Sequence, residues 1–330
     1  MAIADKDAVD YGYLVAFAEG MYLANQIVPR PEPRIATLGF DVVGHLLAQD
    51  VLIPPLTAPQ GQRQLSLRPT TVFFGFLARS QADPTHYVAA IRGTNGFAEW
   101  AINGEFAAVP WPPQPGATVE LGFSDIYKTM TLVGMNGAQI GTNAADGIAH
   151  VVAGGTVTVC GHSLGAAIAT YLSFDVAGLM GNRASACLFA SPRTGDAAWT
   201  NGYHARVQTY RLINYVLDIV PYVPFQPPAM PYQTLPGAQV LEPSAAQAEI
   251  RFDISANHNL FSYCAMLDSA EAKRLYSQED AQAWNDIFVP PRPDLNYALI
   301  VSLARAVDAL GAQADHIAEF LWATMHAVNA

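Results

Sequence analysis

Ser163 stands in TVTVCGHSLGAAIATYL (156–172), where a β-branched run turns into a small-residue helical pattern and a glycine lies two residues to either side of the serine. A G-x-S-x-G match alone arises by chance in about one chain in ten of this length. Its flanks make it specific, because a strand before and a helix after are the setting of a nucleophile elbow, a strained turn that lifts a hydroxyl above the sheet edge. Gly161 and Gly165 meet a steric need there: strand and helix approach so closely that a side chain would collide. Ala166, Ala167 and Ala169 carry the same logic into the helix.

A serine hydroxyl becomes an effective nucleophile when a base takes its proton and a third group orients that base. In the chain order serine, acid, histidine, three histidines qualify. His258 follows the strand-like EIRFDIS and opens the helical NLFSYCAML, whereas His316 and His326 lie in a helical tail, so His258 is the expected base. Asp218 sits past the strand-like VQTYRLIN and before the proline-broken IVPYVPF, the loop position a triad acid needs. Asp196, in SPRTGDAAW, is its strongest rival, and Asp253 alternates within a strand too close to the histidine itself. His162 adjoins the serine but fills the variable position of the elbow, and its side chain is expected to point away from the site. The chemistry open to such a set is acyl transfer to water, which requires no metal and no organic cofactor.

Elements able to position these residues recur along the chain. Strand-like runs at 71–79, 86–93, 156–161, 184–191 and 207–214 are separated by helical stretches. The expected fold is therefore α/β, a mostly parallel central sheet covered by helices, with an antiparallel edge near its start. Ahead of the sheet, AVDYGYLVAFAEGMYLAN has apolar residues at helical spacing and is expected to wrap it. Proline clusters near residues 29–33, 54–59, 110–115, 221–231 and 290–293 mark irregular segments, none of which reads as a linker. The expected organisation is a hydrolase body over 1–284 and a C-terminal helical extension over 285–330, with Leu299, Leu303, Val307 and Leu310 on one face. That face is expected to pack on the body or against a second copy of the chain.

The chain has 330 residues, 51% hydrophobic and 14% charged, enough to bury a large core. Its formal charge, 17 − 28 = −11, would repel a phosphate backbone, so nucleic acid is not an expected partner. No run of eighteen apolar residues is present, and the opening MAIADKDAVDYGYLVAF lacks a basic end followed by an apolar stretch. An integral membrane protein is not expected, and a cytoplasmic location is the default unless the chain is a mature exported form. Cys160, Cys187 and Cys264 lie far apart within apolar runs and read as small buried hydrophobes.

A set of ordered motifs then resembles the class 3 lipases, the family of the filamentous-fungal triacylglycerol lipases. They are AIRGT (90–94), EWAINGEFAAVPW (99–111), ELGFSDIY (120–127), VCGHSLGAAIA (159–169), FASPRTGD (189–196), RLINYVLDIVPYVP (211–224) and HNLFSYCAML (258–267). The resemblance implies the α/β-hydrolase fold, Ser163 as nucleophile, Asp218 as acid and His258 as base, with Asp196 a structural residue of its loop. It further implies an oxyanion hole formed by Thr94 and the Leu164 N–H, and an ester or lipid substrate met at a lipid–water interface. Relatives of this class cleave triacylglycerols, phospholipids at the A1 position, simple carboxylic esters or feruloyl esters; an inactive binding protein on the same fold is the non-enzymatic alternative. A lid is expected over about 95–109, where Gly96 and Gly104 bracket a short helix bearing Phe97 and Trp100 on its apolar face.

Overall fold

The structure is a computed structural model and describes residues 3–50, 70–94, 106–224, 232–242, 249–251, 254–274 and 287–289. In chain order the described elements begin with α1 (Asp5–Leu23), α2 (Pro33–Thr37), β1 (Phe40–Asp50), β2 (Thr70–Ser80) and β3 (His86–Ile91). A small hairpin, β4 (Ala108–Pro110) with β5 (Thr118–Glu120), leads into α3 (Leu121–Lys128), β6 (Thr131–Gly134), β7 (Gln139–Ile140) and α4 (Ala144–Val152). The centre follows: β8 (Thr156–His162), α5 (Leu164–Met180), β9 (Ala184–Phe189), α6 (Ala197–Arg206) and β10 (Tyr210–Tyr215). The remainder comprises β11 (Gln239–Leu241), β12 (Glu249–Ile250), α7 (Ile254–Asn257), α8 (Leu260–Leu267), α9 (Ser269–Arg274) and β13 (Phe288–Val289).

Among the described residues one nine-stranded sheet runs in the order β11-β10-β9-β8-β3-β2-β1-β6-β7. From β11 to β3 every pair is parallel, as helical crossovers through α5 and α6 require; from β3 outward every pair is antiparallel. The sheet is therefore mixed, with an antiparallel half broader than the edge expected from sequence. β1 escaped the sequence pattern because its register against β2 shifts between Val42 and Gly44 and again between Leu46 and Leu47. Each shift interrupts the alternation of side chains that marks a strand. The strand expected in EIRFDIS is corrected: pairing stops at Ile250, and Ile254–Asn257 form a helical turn.

Adjacent residues of β8 show how the layers sit. Cys160 Sγ lies 3.8 Å from the Tyr11 carbonyl of α1, whereas a Cβ on Gly161 would meet the Gly165 backbone of α5. Side chains alternate across a strand, so α1 covers one face and α5 the other. α5 is buried nearly throughout, since α3, α4 and α6 pack outside it. α8 lies beside α1 on the opposite face. α1 runs along β3: Tyr11 is 3.3 Å from His86 at the strand's start, and Tyr22 lies under Arg92 just beyond its end. The C-terminal end of α1 thus reaches the sheet edge at which β8 ends in Ser163. Ile287 is buried in the core and Phe288–Val289 pair with Glu249–Ile250, so the body takes in residues just past the boundary read at 284. The extension beyond Val289 lies outside the described residues.

His45 on β1 is fully buried, with its Nε2–H donating to the Pro29 carbonyl at 3.1 Å and its Nδ1 unpartnered. Burial holds its pKa below the ordinary 6.5 despite that hydrogen bond. Burial lowers His86 and His162 in the same direction. Groups whose folded values are depressed give their stability above the unfolded value and lose it as pH falls through the folded one. Melting temperature is therefore expected to hold above pH 6.5 and to fall as pH is lowered below it, by at most about 1.4 kcal/mol per pH unit for each proton taken up. His45→Gln should flatten part of that fall. Thermal melts of wild type and variant across the window check it, and identical slopes would remove His45 from the account.

Candidate active site

The strand-to-helix turn sets Ser163 in a conformation that L residues seldom adopt, φ 60° and ψ −129°. Its N–H donates to the Phe189 carbonyl of β9 at 3.0 Å, which ties the turn to the neighbouring strand. The glycines act as steric reasoning requires. A Cβ at Gly161 would sit 2.3 Å from the Gly165 carbonyl oxygen, and one at Gly165 would sit 2.4 Å from Arg92 O and 2.5 Å from Ile91 O.

Ser163 Oγ lies 2.7 Å from His258 Nε2. His258 Nδ1 donates to Asp218 Oδ2 at 2.8 Å, so the second ring nitrogen keeps its lone pair toward the serine hydroxyl. His258 follows α7 and precedes α8, where Asn259 caps the helix by accepting from the Phe261 N–H. Asp218 is wholly buried just past β10; its Oδ1 accepts from the Val220 N–H at 2.9 Å. The structure thus brings together the three residues that spacing and resemblance had singled out. Asp196 is engaged elsewhere: it caps α6 through the Trp199 N–H at 2.8 Å and accepts from both the Thr118 N–H and hydroxyl, at 3.0 and 2.7 Å. Asp253, His316 and His326 lie outside the described residues, as do the lid positions Phe97 and Trp100.

Leu164 follows the serine directly, and the loop of Thr94 approaches it through Gly93, where a Cβ would lie 3.7 Å from Ser163 Cβ. Leu164 opens α5, where first-turn N–H groups have no acceptor within the helix and the helix dipole favours negative charge. Arg92 braces the Thr94 loop. Its Nη1 donates to the Gly93 carbonyl at 2.8 Å and to Thr94 Oγ1 at 3.2 Å, and its Nε donates to the Phe73 carbonyl at 2.9 Å. The guanidinium also lies 3.6 Å from the Tyr22 ring centre. Because Thr94 Oγ1 accepts from Arg92, its own proton is left to donate. The short pair β4 and β5 begins at Ala108, which bounds the expected lid before residue 109.

Three features of the site were not read from sequence. Tyr263 donates its hydroxyl to Asp218 Oδ2 at 2.5 Å while accepting from the Tyr215 N–H at 3.1 Å. Burial, with the Asp218 charge beside it, pushes the Tyr263 phenol well above its ordinary value, so it remains a donor. Its place five residues past His258, on a helix facing β10, was the available signal. Glu19 on α1 stands in the field of both Arg92 and His258, which oppose the upward push that burial gives its carboxyl. The third is a correction. His162 does not point away: its ring centre is 4.6 Å from that of His258, the planes tilted by 32°. Alternation along β8 puts His162 on the face covered by α1 and α8, and it is from that face that His258 enters. Among the described residues no three His, Cys, Asp or Glu side chains gather as a metal ion would need.

Tyr263→Phe keeps the ring and removes the hydrogen bond that holds the Asp218 carboxylate. The expected result is a roughly tenfold loss of turnover and about 1.5–3 kcal/mol of stability, the usual scale for a hydrogen bond to a charged group. Kinetics and denaturant melts of the single variant measure both.

Residues 88–227 match the family model described as Lipase (class 3). A lipase of Rhizomucor miehei is 30% identical over 152 residues, covering 45% of this chain and 40% of that protein. Phospholipase A1 EG1 of Oryza sativa subsp. indica is 30% identical over 188 residues, covering 49% of this chain and 41% of that protein. The chain thus spans about two-fifths of the length of each of these curated relatives. Among solved structures, a variant of MDLA from Penicillium cyclopium has a TM-score of 0.52 at 21% identity, covering 84% of this chain and 92% of that chain, a likeness of fold. Sequence match and fold point the same way: residues 88–227 are similar to class 3 lipases, and the chain has the α/β-hydrolase fold.

Proposed function

We propose that the chain hydrolyses carboxylic esters of lipids through an acyl-enzyme on Ser163. The observation that carries this reading is the unbroken relay from Ser163 Oγ through His258 to Asp218, at 2.7 and 2.8 Å. Ser163 Oγ attacks the ester carbonyl as His258 Nε2 takes its proton. The oxygen of the tetrahedral intermediate takes hydrogen bonds from Thr94 and the Leu164 N–H, donors that matter because charge grows there in the transition state. Collapse expels the alcohol, protonated by His258, and water repeats the sequence on the acyl-enzyme. Asp218 holds the imidazole in the useful tautomer and offsets its charge.

Triacylglycerol is the substrate class we favour, on the likeness to the Rhizomucor lipase. Likeness to the rice phospholipase A1 supports a second reading, hydrolysis of a diacyl phospholipid by the same triad. In either reading the segment over about 95–109 serves as a lid whose Phe97 and Trp100 face opens at a lipid surface, and the C-terminal extension packs on the body or pairs two copies. A fluorophosphonate probe should label wild type and leave Ser163→Ala unlabelled; no labelling of wild type would favour a binding protein on a hydrolase fold. Triolein against phosphatidylcholine, each as an emulsion beside a dissolved p-nitrophenyl butyrate control, separates the two substrates.

A further inference from the structure

The residue next to the nucleophile has no part in the relay, yet several parts of the site meet on it. His162 is 7% exposed, and its ring faces that of His258 at 4.6 Å and 32°. The ring of Tyr263, which holds Asp218, meets its edge at 6.0 Å and 69°. The Gly93 backbone lies so close that a Cβ there would be 3.1 Å from the His162 carbonyl and 3.5 Å from its Nδ1. The strand carrying the nucleophile, the loop carrying the base, the helix bracing the acid and the loop beside Thr94 therefore share one imidazole.

Packing alone does not call for an imidazole. The ring hydrogen-bonds to the His258 main chain, a tie an apolar side chain would not make, although its buried Nε2 lacks a partner of good geometry. Burial and the neighbouring His258 together keep the ring neutral. A neutral aromatic ring lying tilted over a base that must become cationic during the reaction offers that cation its electron-rich face. Little of this attraction exists while His258 is neutral, so it acts on the transition state. The other ionisable groups around the pair are Glu19 on α1, Arg92 after β3, Asp218 after β10 and Tyr263 on α8. Among these Asp218 alone touches the base, in the ring plane at Nδ1, which leaves the face to His162.

We propose that His162 is a positioning residue for the general base: it holds the His258 ring by its face and, uncharged, stabilises that ring when it carries the serine proton. The proposal rests on the reading of the site as a serine ester hydrolase.

His162→Leu fills the space without an aromatic face, and His162→Phe restores the face without ring nitrogens. On a dissolved p-nitrophenyl ester the Leu variant should lose about tenfold in kcat with KM unchanged, the scale of a desolvated cation–π contact. The acid limb of its kcat/KM profile should move about one pH unit lower, since the charged base has lost support. Its melting temperature should change little, because the buried Nε2 without a partner and the ring's hydrogen bond to the His258 main chain are lost together. The Phe variant should recover most of the rate and the position of the limb. A Leu variant with wild-type kcat and limb would overturn the proposal, as would equal losses in Leu and Phe with the limb unmoved, which would mean packing alone. If His162→Leu does not fold, His162→Met provides the same comparison with a more adaptable side chain. Wild-type protein that neither turns over ester nor takes the fluorophosphonate label would instead refute the hydrolase reading itself.

Discussion

Replacing Ser163 with alanine is expected to abolish ester turnover, with a loss on the order of a million-fold, the scale on which serine hydrolases lose a nucleophile or its base. His258→Ala should do nearly as much, because Oγ then has no acceptor for its proton. Asp218→Ala should retain more activity, since the base remains but loses its orientation and the partner for its charge. A structural consequence separates the acid from its rival. Asp218 accepts three hydrogen bonds, from the Val220 N–H, the Tyr263 hydroxyl and His258, all of which the substitution leaves unmet in a buried place. Asp196→Ala removes a helix cap and two contacts to Thr118, so it should cost about 1–2 kcal/mol of stability and leave kcat in the folded fraction near wild type. Burst and steady-state rates, normalised to active sites by fluorophosphonate titration, make the comparison. A damaging Asp196→Ala beside a mild Asp218→Ala would reverse the assignment of the acid.

Gly165→Ala is expected to be severely disruptive for a single added methyl group. The added carbon would sit 2.4 Å from Arg92 O and 2.5 Å from Ile91 O, both backbone atoms of the central sheet, so no side-chain rotation relieves the clash. Either α5 lifts from the sheet or the Arg92 loop shifts. A loss of about 4 kcal/mol or more is expected, in the range where a domain of ordinary stability fails to accumulate. Any folded fraction should also be slow, because moving α5 displaces Ser163 and the Leu164 N–H relative to Thr94, and a misplacement of about 1 Å can cost a hundredfold in rate. Gly20→Ala is the matched control: it lies in the interior of α1 with nothing within 4 Å of the new carbon, and it should stabilise by up to about 1 kcal/mol. Soluble yield, melting temperature and active-site titration of the two variants form the test. A Gly165→Ala protein as stable and as fast as Gly20→Ala would refute the close-approach account of the elbow.

Much of this site is written in local chemistry. Ser163 announces itself because an elbow constrains its own neighbours: two glycines for clearance, a β-branched run before and alanines after, all within 17 residues. Asp218 and His258 are legible for a related reason, as each must stand on a loop just beyond a regular element, and loop and element are both local patterns. The parallel half of the sheet could likewise be anticipated, since strands separated by helical stretches must cross over. β1 could not, because its register shifts are set against β2, a strand that starts 30 residues further along the chain.

The contacts that hold the relay in place depend on distances that spacing does not encode. Tyr263 and Asp218 are 45 residues apart, and nothing near either one says that α8 lays a phenol on a buried carboxylate. Glu19 comes to the catalytic edge because α1 runs along β3, a matter of how a helix docks. His162 was expected to face away, on the ground that the elbow's variable position carries no chemistry. The alternation of β8 sends it to the face covered by α1 and α8, and only the packing of α8 on that face brings a second imidazole within 4.6 Å of it. Backbone sterics and short-range patterning decide which residues can react. Which residues support them is decided by burial between elements distant in the chain, and burial is a property of the assembled core.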